Sequence, residues 1–297
     1  MKLFVTNLVL LAIFACAASA QSRRSVAAND GEGTTLNITV KREGNKTDLL
    51  ALDRISLFEN GNEQKISSLT YDSSPSRIVL LIDNSQTIGT NVEALRKAVM
   101  EFAYEIFEGD QIFVLAYDTK PEIIQEWTDD AKKIEASLGT VRKTGNPYLF
   151  DALDAAVTQV LLPLMPGTRK TAIVVVTDGL DRGSKRSFDF AVNQLQSQNV
   201  TLYALQLPDR TGGAYRRNQP KPPLVVTQLV EASGGLVFPF EEAHSAAKII
   251  CDELRKNRYL IAYNPTNTSS FDERRLLVVG EAGTTIRAKA GQPPNVK

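Results

Sequence analysis

The stretch from Arg77 to Thr87, R-I-V-L-L-I-D-N-S-Q-T, constrains the fold more tightly than any other part of the sequence. Ile78 to Ile82 is an unbroken apolar run rich in β-branched residues and too short for a buried helix. It reads as a strand covered on both faces. Polarity switches at once at its carboxyl end, to Asp83, Asn84, Ser85, Gln86 and Thr87. Apolar residues then recur at steps of three and four, at Val92, Leu95, Val99, Phe102 and Ile106, which predicts a helix. A central parallel strand would thus deliver a carboxylate and two hydroxyls to the edge where open α/β sheets hold their ligands. Asp83, Ser85 and Thr87 alternate by two, so in an extended loop they face one point, and three hard oxygens there suit Mg2+. The competing reading is a helix cap, in which short polar side chains hold free N–H groups. The stretch alone leaves both open.

The same alternation continues downstream. Asp110 to Tyr117 and Thr171 to Thr177 are further buried strands, and Glu122 to Trp127 is an antiparallel one. Leu149 to Val160, Lys185 to Gln198, a segment ending at Gly234-Gly235, and Ala243 to Lys256 carry helical patterns. Val200 to Leu207 and Leu236 to Phe240 complete the strands. Strands alternating with helices give an α/β fold with a doubly wound, mostly parallel, Rossmann-like sheet over residues 76–257.

The two ends read differently. Leu36 to Val40 alternates apolar and polar, and Leu49 to Phe58 is strand-like. Glu59-Asn60-Gly61-Asn62 is a hairpin signal, after which Gln64 to Leu69 is expected to pair back. Beyond Asn257 come three strand patterns alone, Arg258 to Tyr263, Arg274 to Val279 and Thr284 to Ala290. Neither end has enough residues to bury a core by itself. Residues 35–75 and 258–297 are therefore expected to combine into one small all-β subdomain, with the α/β unit inserted between them. Met1 to Ala20 reads as a signal peptide, with Lys2, an apolar stretch from Leu8 to Ala18 and a small-residue cleavage site before Gln21. Residues 21–34 read as a disordered tether. The protein is expected to be exported, periplasmic or secreted. A lipoprotein anchored through Cys16 is the alternative.

Composition removes several classes of function. The formal net charge is +0, so neither nucleic acid nor an anionic membrane is an indicated partner. One histidine, His244, rules out a multi-histidine zinc site and leaves a single candidate base. Cys251 lies among Ile249, Ile250 and Leu254 at helical spacing and reads as a buried apolar residue.

D-x-S-x-T at Asp83, Ser85 and Thr87 resembles the D-x-S-x-S opening of the metal-ion-dependent adhesion site of von Willebrand factor type A domains. Thr177-Asp178-Gly179 resembles the T-D-G segment of that family, whose Asp is the site's other carboxylate. Gly145-Asn146-Pro147-Tyr148-Leu149-Phe150-Asp151-Ala152-Leu153 resembles its G-G-T-x-L-Y-D-A-L, matching at Leu149, Asp151, Ala152 and Leu153. The threonine that completes the site falls on Pro147, which has no hydroxyl. Thr144 or Asn146 could supply an oxygen, although neither is in register. F-E-N-G-N-E-Q-K-I before the site and R-Y-L-I-A-Y-N-P after it are similar to a von Willebrand-related family of exported bacterial proteins, well represented in acidobacteria. A haloacid-dehalogenase-type phosphatase also places an Asp after its first strand. That chemistry needs a carboxylate where Ser85 stands.

The resemblance implies a non-enzymatic protein-binding or adhesion module. Asp83, Ser85, Thr87 and Asp178 would hold Mg2+ or Mn2+ weakly, and a protein partner would supply a carboxylate to the metal. Arg182, Lys185, Arg186, Arg210, Arg216, Arg217 and Lys221 on neighbouring loops would favour an acidic partner. The alternatives are a structural module whose metal site has decayed, and a metal-assisted hydrolase.

Overall fold

The computed structural model describes residues 34–44, 48–165, 167, 170–209, 220–266 and 272–294. In chain order the strands and helices are β1 (Thr34–Arg42), β2 (Ile55–Glu59), β3 (Asn62–Gln64), β4 (Ile66–Tyr71), β5 (Arg77–Asp83), α1 (Val92–Glu105), β6 (Gln111–Tyr117), β7 (Pro121–Thr128), α2 (Ala131–Leu138) and α3 (Leu149–Ala155). They continue as β8 (Thr171–Thr177), α4 (Phe188–Ser197), β9 (Thr201–Gln206), α5 (Pro222–Ser233), β10 (Val237–Pro239), α6 (Ala243–Lys256), β11 (Arg258–Tyr263), β12 (Arg274–Gly280), β13 (Thr284–Ala288) and β14 (Gly291–Gln292).

The expected α/β architecture is present. Six strands form one sheet in the order β10-β9-β8-β5-β6-β7, parallel throughout except for β7. The apolar run of β5 is explained by its two covered faces. Ile78, Leu80 and Ile82 pack beneath α1 and α6, against Val99, Phe102, Ile250 and Leu254. Val79 and Leu81 pack on the other face against Leu149, Leu153, Leu195 and Val226 of α3, α4 and α5. Alternate residues of one strand thus feed two cores, which is why no polar residue interrupts it.

The flanking segments form two further four-stranded antiparallel sheets, β13-β1-β11-β4 and β14-β12-β2-β3. Leu36, Ile38, Leu57, Ile261, Tyr263 and Val278 close one core to which strands from both ends of the chain contribute. Glu59 is buried in it, accepting from the Tyr263 hydroxyl at 2.9 Å and pairing with Arg274 at 3.2 Å.

Two local expectations are corrected. Only Ile55 to Glu59 of the segment from Leu49 is strand, because Leu52–Arg54 forms a 3-10 turn first. The segment from Gln64 does not pair back as one strand. β3 pairs with β2 and ends at Gln64, and β4 crosses to the other sheet to pair with β11. The helix α2 gave no sequence signal, since it has eight residues of which only Ile134 and Leu138 are buried. Asp130 caps it by accepting from the amides of Lys132 and Lys133.

A polar seam joins the β unit to the α/β unit. The Arg258 guanidinium donates to Thr39 at 3.1 Å and to Thr201 at 3.0 Å. Lys289 Nζ donates to the Gln196 carbonyl at 2.7 Å, and the Ala290 amide to the Ala232 carbonyl at 2.9 Å. The β unit thereby supplies donors to carbonyls in the last turns of α4 and α5. Gly234 permits the close approach there, because its φ is +83° and a Cβ would stand 2.6 Å from the Ala288 carbonyl carbon of β13. The signal peptide reading, Cys16 included, and residues 21–33 of the tether lie outside the described residues, while Thr34, read as the end of the tether, already belongs to β1. Among those residues no helix is long and apolar enough to cross a membrane.

Candidate functional site

Asp83 ends β5 and lies opposite Tyr117, which ends β6. On the other side β8 ends at Thr177, and Asp178 follows it. Parallel register therefore brings three strand ends to one edge. Asp83 is 1% exposed and Ser85 is 0% exposed. Asp83 Oδ1 accepts from the Ser85 amide at 2.8 Å, which folds the chain back so that the Ser85 and Thr87 hydroxyls meet at 3.1 Å. Asp178 Oδ1 accepts from the Leu180 amide at 2.9 Å, and Thr177 Oγ1 from the Gly179 amide at 3.0 Å. Gly179 is required in this turn. Its φ is +84°, and a Cβ would meet the Pro222 carbonyl oxygen at 2.0 Å.

The polar cluster does not cap α1. That role belongs to Asn91, whose side chain accepts from the Ala94 amide at 2.8 Å. Asp83 is instead held unpaired in a dry setting. Burial pushes its carboxyl up to about 7, and the neighbouring Asp178 charge pushes the same way. Burial raises Asp178 as well. Among the described residues neither carboxylate has an ion-pair partner within 4.0 Å.

The third segment packs between these two loops. Asn84 O accepts from the Thr144 amide at 2.9 Å, Gly145 O from the Gln86 amide at 3.2 Å, and Pro147 O from the Arg182 amide at 2.8 Å. Pro147 is buried and offers no hydroxyl, while Thr144 and Asn146 are exposed. Asp151, a matching position of the motif, accepts from the Lys185 and Arg186 amides at 3.0 and 2.9 Å and so ties two loops together. Arg186 is spoken for: it pairs with Asp154 at 2.8 Å and lies 4.2 Å over the Phe190 ring. Arg210, Arg216 and Arg217 lie outside the described residues. His244 is exposed and bonds Glu101 at 2.8 Å, and Cys251 is buried with its thiol pushed up by burial.

Sequence reasoning missed Tyr117. Its buried hydroxyl lies 3.4 Å from Asp83 Oδ2 and 3.1 Å from Thr177 Oγ1. It ends an apolar strand, and nothing in F-V-L-A-Y separates it from a core aromatic. Asp181 and Ser184 were also missed. They bond each other, and Ser184 Oγ accepts from the Phe150 and Asp151 amides at 3.1 Å.

Residues 78–180 match the family described as von Willebrand factor type A domain. The von Willebrand factor type A protein of Catenulispora acidiphila is 12% identical, with a TM-score of 0.50 covering 89% of this chain and 75% of that one. An aerotolerance-related membrane protein from Bacteroides fragilis is 16% identical, with a TM-score of 0.48 over 61% of this chain and 99% of that one. Proximal thread matrix protein 1 of the mussel byssus, solved with a zinc-occupied MIDAS motif, is 13% identical, with a TM-score of 0.48 over 66% of this chain and 49% of that one. No curated protein matches the sequence.

Proposed function

We propose that the protein is an exported protein-binding module that engages an acidic protein partner through a degenerate metal-ion-dependent adhesion site. One observation carries this reading: two buried carboxylates, Asp83 and Asp178, end adjacent parallel strands beside a pair of meeting hydroxyls, and among the described residues neither lies within 4.0 Å of a cationic side chain. Two desolvated carboxylates are costly without a cation. Among the described residues no three His, Cys, Asp or Glu side chains gather as a metal cage. The donor set is therefore two carboxylates and two hydroxyls, which fits a hard, water-retaining ion such as Mg2+ or Mn2+. Asp83, Ser85, Thr87 and Asp178 would hold it. When bound, the ion offers an open position to a partner's carboxylate. Asn146, exposed beside Pro147, is the remaining candidate donor. The exported character rests on the sequence pattern of Met1 to Ala20, and the acidobacterial-type subfamily on the hairpin and β11 motifs.

A second reading has its own support. Pro147 fills the place of a ligand with a buried ring, which favours a structural module whose site no longer binds metal. An immobilised glutamate-rich peptide distinguishes the two. The adhesion reading expects capture of the protein in Mg2+, release by chelator, and no capture of Asp83→Ala. Capture that ignores both chelator and substitution favours the structural module.

A further inference from the structure

The parallel sheet has a second polar end, remote from Asp83. Ser76, Asp110 and Lys170 immediately precede β5, β6 and β8, and they line a cavity of about 280 Å³ together with Pro75, Phe107 and Arg255. The cavity lies where the linker from β4 enters the α/β unit, and the Tyr71 hydroxyl donates to the Arg255 carbonyl there at 2.9 Å.

The acidic groups of this cavity are already satisfied. Asp110 accepts from the Ser76 amide at 2.6 Å and from the Phe107 amide at 3.2 Å. The nearby Asp72 accepts at one oxygen from both the amide and the hydroxyl of Ser74, at 2.9 and 2.5 Å. Glu108 is exposed at the rim. The donors are not satisfied. Lys170 is 2% exposed, and its Nζ approaches a carboxylate only at 4.0 Å, on the Asp72 oxygen that Ser74 already uses. An ammonium has three N–H donors, and leaving them unused in a buried place is costly. The side-chain oxygen of Ser76 is buried without a hydrogen-bond partner. The Arg255 guanidinium lies 3.9 Å over the Phe107 ring and, among the described residues, has no carboxylate within ion-pair distance.

We propose that this cavity binds a small organic anion, with its carboxylate or phosphate group on Lys170 and Ser76 and its apolar body against Pro75 and Phe107. Such an oxyanion accepts from the ammonium and the hydroxyl together, and Arg255 adds attraction at the mouth. Burial holds the Lys170 ammonium below its ordinary pKa, and a bound anion reverses that shift. The site is far from Asp83 along the strands and does not depend on metal there.

Two-dimensional amide NMR of the full chain, titrated with sodium benzoate and with inorganic phosphate at constant ionic strength, tests the proposal. The Ser76, Phe107 and Asp110 amides should shift saturably in the millimolar range. Whichever probe binds more tightly identifies the preferred oxyanion. Lys170→Met should abolish the shifts and Ser76→Ala should weaken them several-fold, while Asp83→Ala leaves them intact. Ser76→Ala removes a single oxygen, so it remains informative if Lys170→Met does not fold. The proposal is overturned if neither probe gives a saturable shift up to tens of millimolar. Shifts that persist unchanged in the folded variants overturn it equally.

Discussion

The Tyr117 hydroxyl stands 3.4 Å from Asp83 Oδ2 across adjacent parallel strands, and both side chains are buried. The same hydroxyl lies 3.1 Å from Thr177 Oγ1, at the end of the next strand but one. Tyr117 therefore links the ends of β5 and β8, the two strands that deliver Asp83 and Asp178. A hydroxyl donated to a carboxylate favours its charged form. Tyr117→Phe should weaken Mn2+ binding about five- to tenfold while costing about 1 kcal/mol of stability. Calorimetry and chemical denaturation on the same variant separate the two effects.

Metal uptake should depend on pH through Asp83. Its carboxyl is pushed up to about 7 by burial, so below that pH a proton competes with the cation. Affinity should rise as pH increases towards about 7 and level off above it. Without metal the sign reverses for stability. The folded state holds its proton to higher pH than the unfolded chain, whose Asp titrates near ~3.9. The stabilisation is complete below the unfolded value and is lost as pH rises through about 7. Thermal unfolding in chelator, followed across this range, should show the loss, and saturating Mg2+ should remove it.

Lys289 acts in a separate window. It is buried in the seam, and burial lowers its pKa to about 7. The unfolded lysine titrates near ~10.4, so the folded state sheds its proton first. The cost of the buried charge is present in full below pH 7 and fades as pH climbs towards ~10. Lys289→Met should abolish this rise in stability above neutrality, read by denaturant unfolding at two or three pH values. At neutral pH it should gain about 1–3 kcal/mol, after allowing for the lost bond to Gln196.

Gly179→Ala should damage the site through the backbone. The residue combines φ +84° with a Cβ position 2.0 Å from the Pro222 carbonyl oxygen. The turn after Asp178 must shift, at a cost of about 3 kcal/mol or more. Metal affinity should fall with stability, whereas Asp178→Asn should reduce affinity and leave the turn in place. Unfolding curves and calorimetry on both variants check this.

The parts of the fold legible in sequence were those governed by burial. β5 and β8 feed two cores, so their apolar runs were unmistakable, and α6 was found end to end because its core residues repeat at helical spacing. Asp83, Ser85, Thr87 and Asp178 stood out because polarity changes abruptly after those strands. Residues whose role depends on register stayed hidden. Tyr117 matters only because β6 pairs with β5, and Lys170 and Ser76 converge only because three strands begin side by side. The crossing of β4 to the second sheet was likewise invisible, since Q-K-I-S-S-L from Gln64 to Leu69 carries no alternation that would single out one partner strand.

The central claim is that Asp83 and its neighbours hold a divalent cation despite Pro147. Calorimetric titration of Mg2+ and Mn2+ at pH 8 into wild type, Asp83→Ala and Pro147→Thr tests it most directly. The account predicts weak, saturable uptake by wild type, none by Asp83→Ala and tighter binding by Pro147→Thr. Folded wild type that takes up no metal at millimolar concentration, or Asp83→Ala that binds as wild type does, would contradict it.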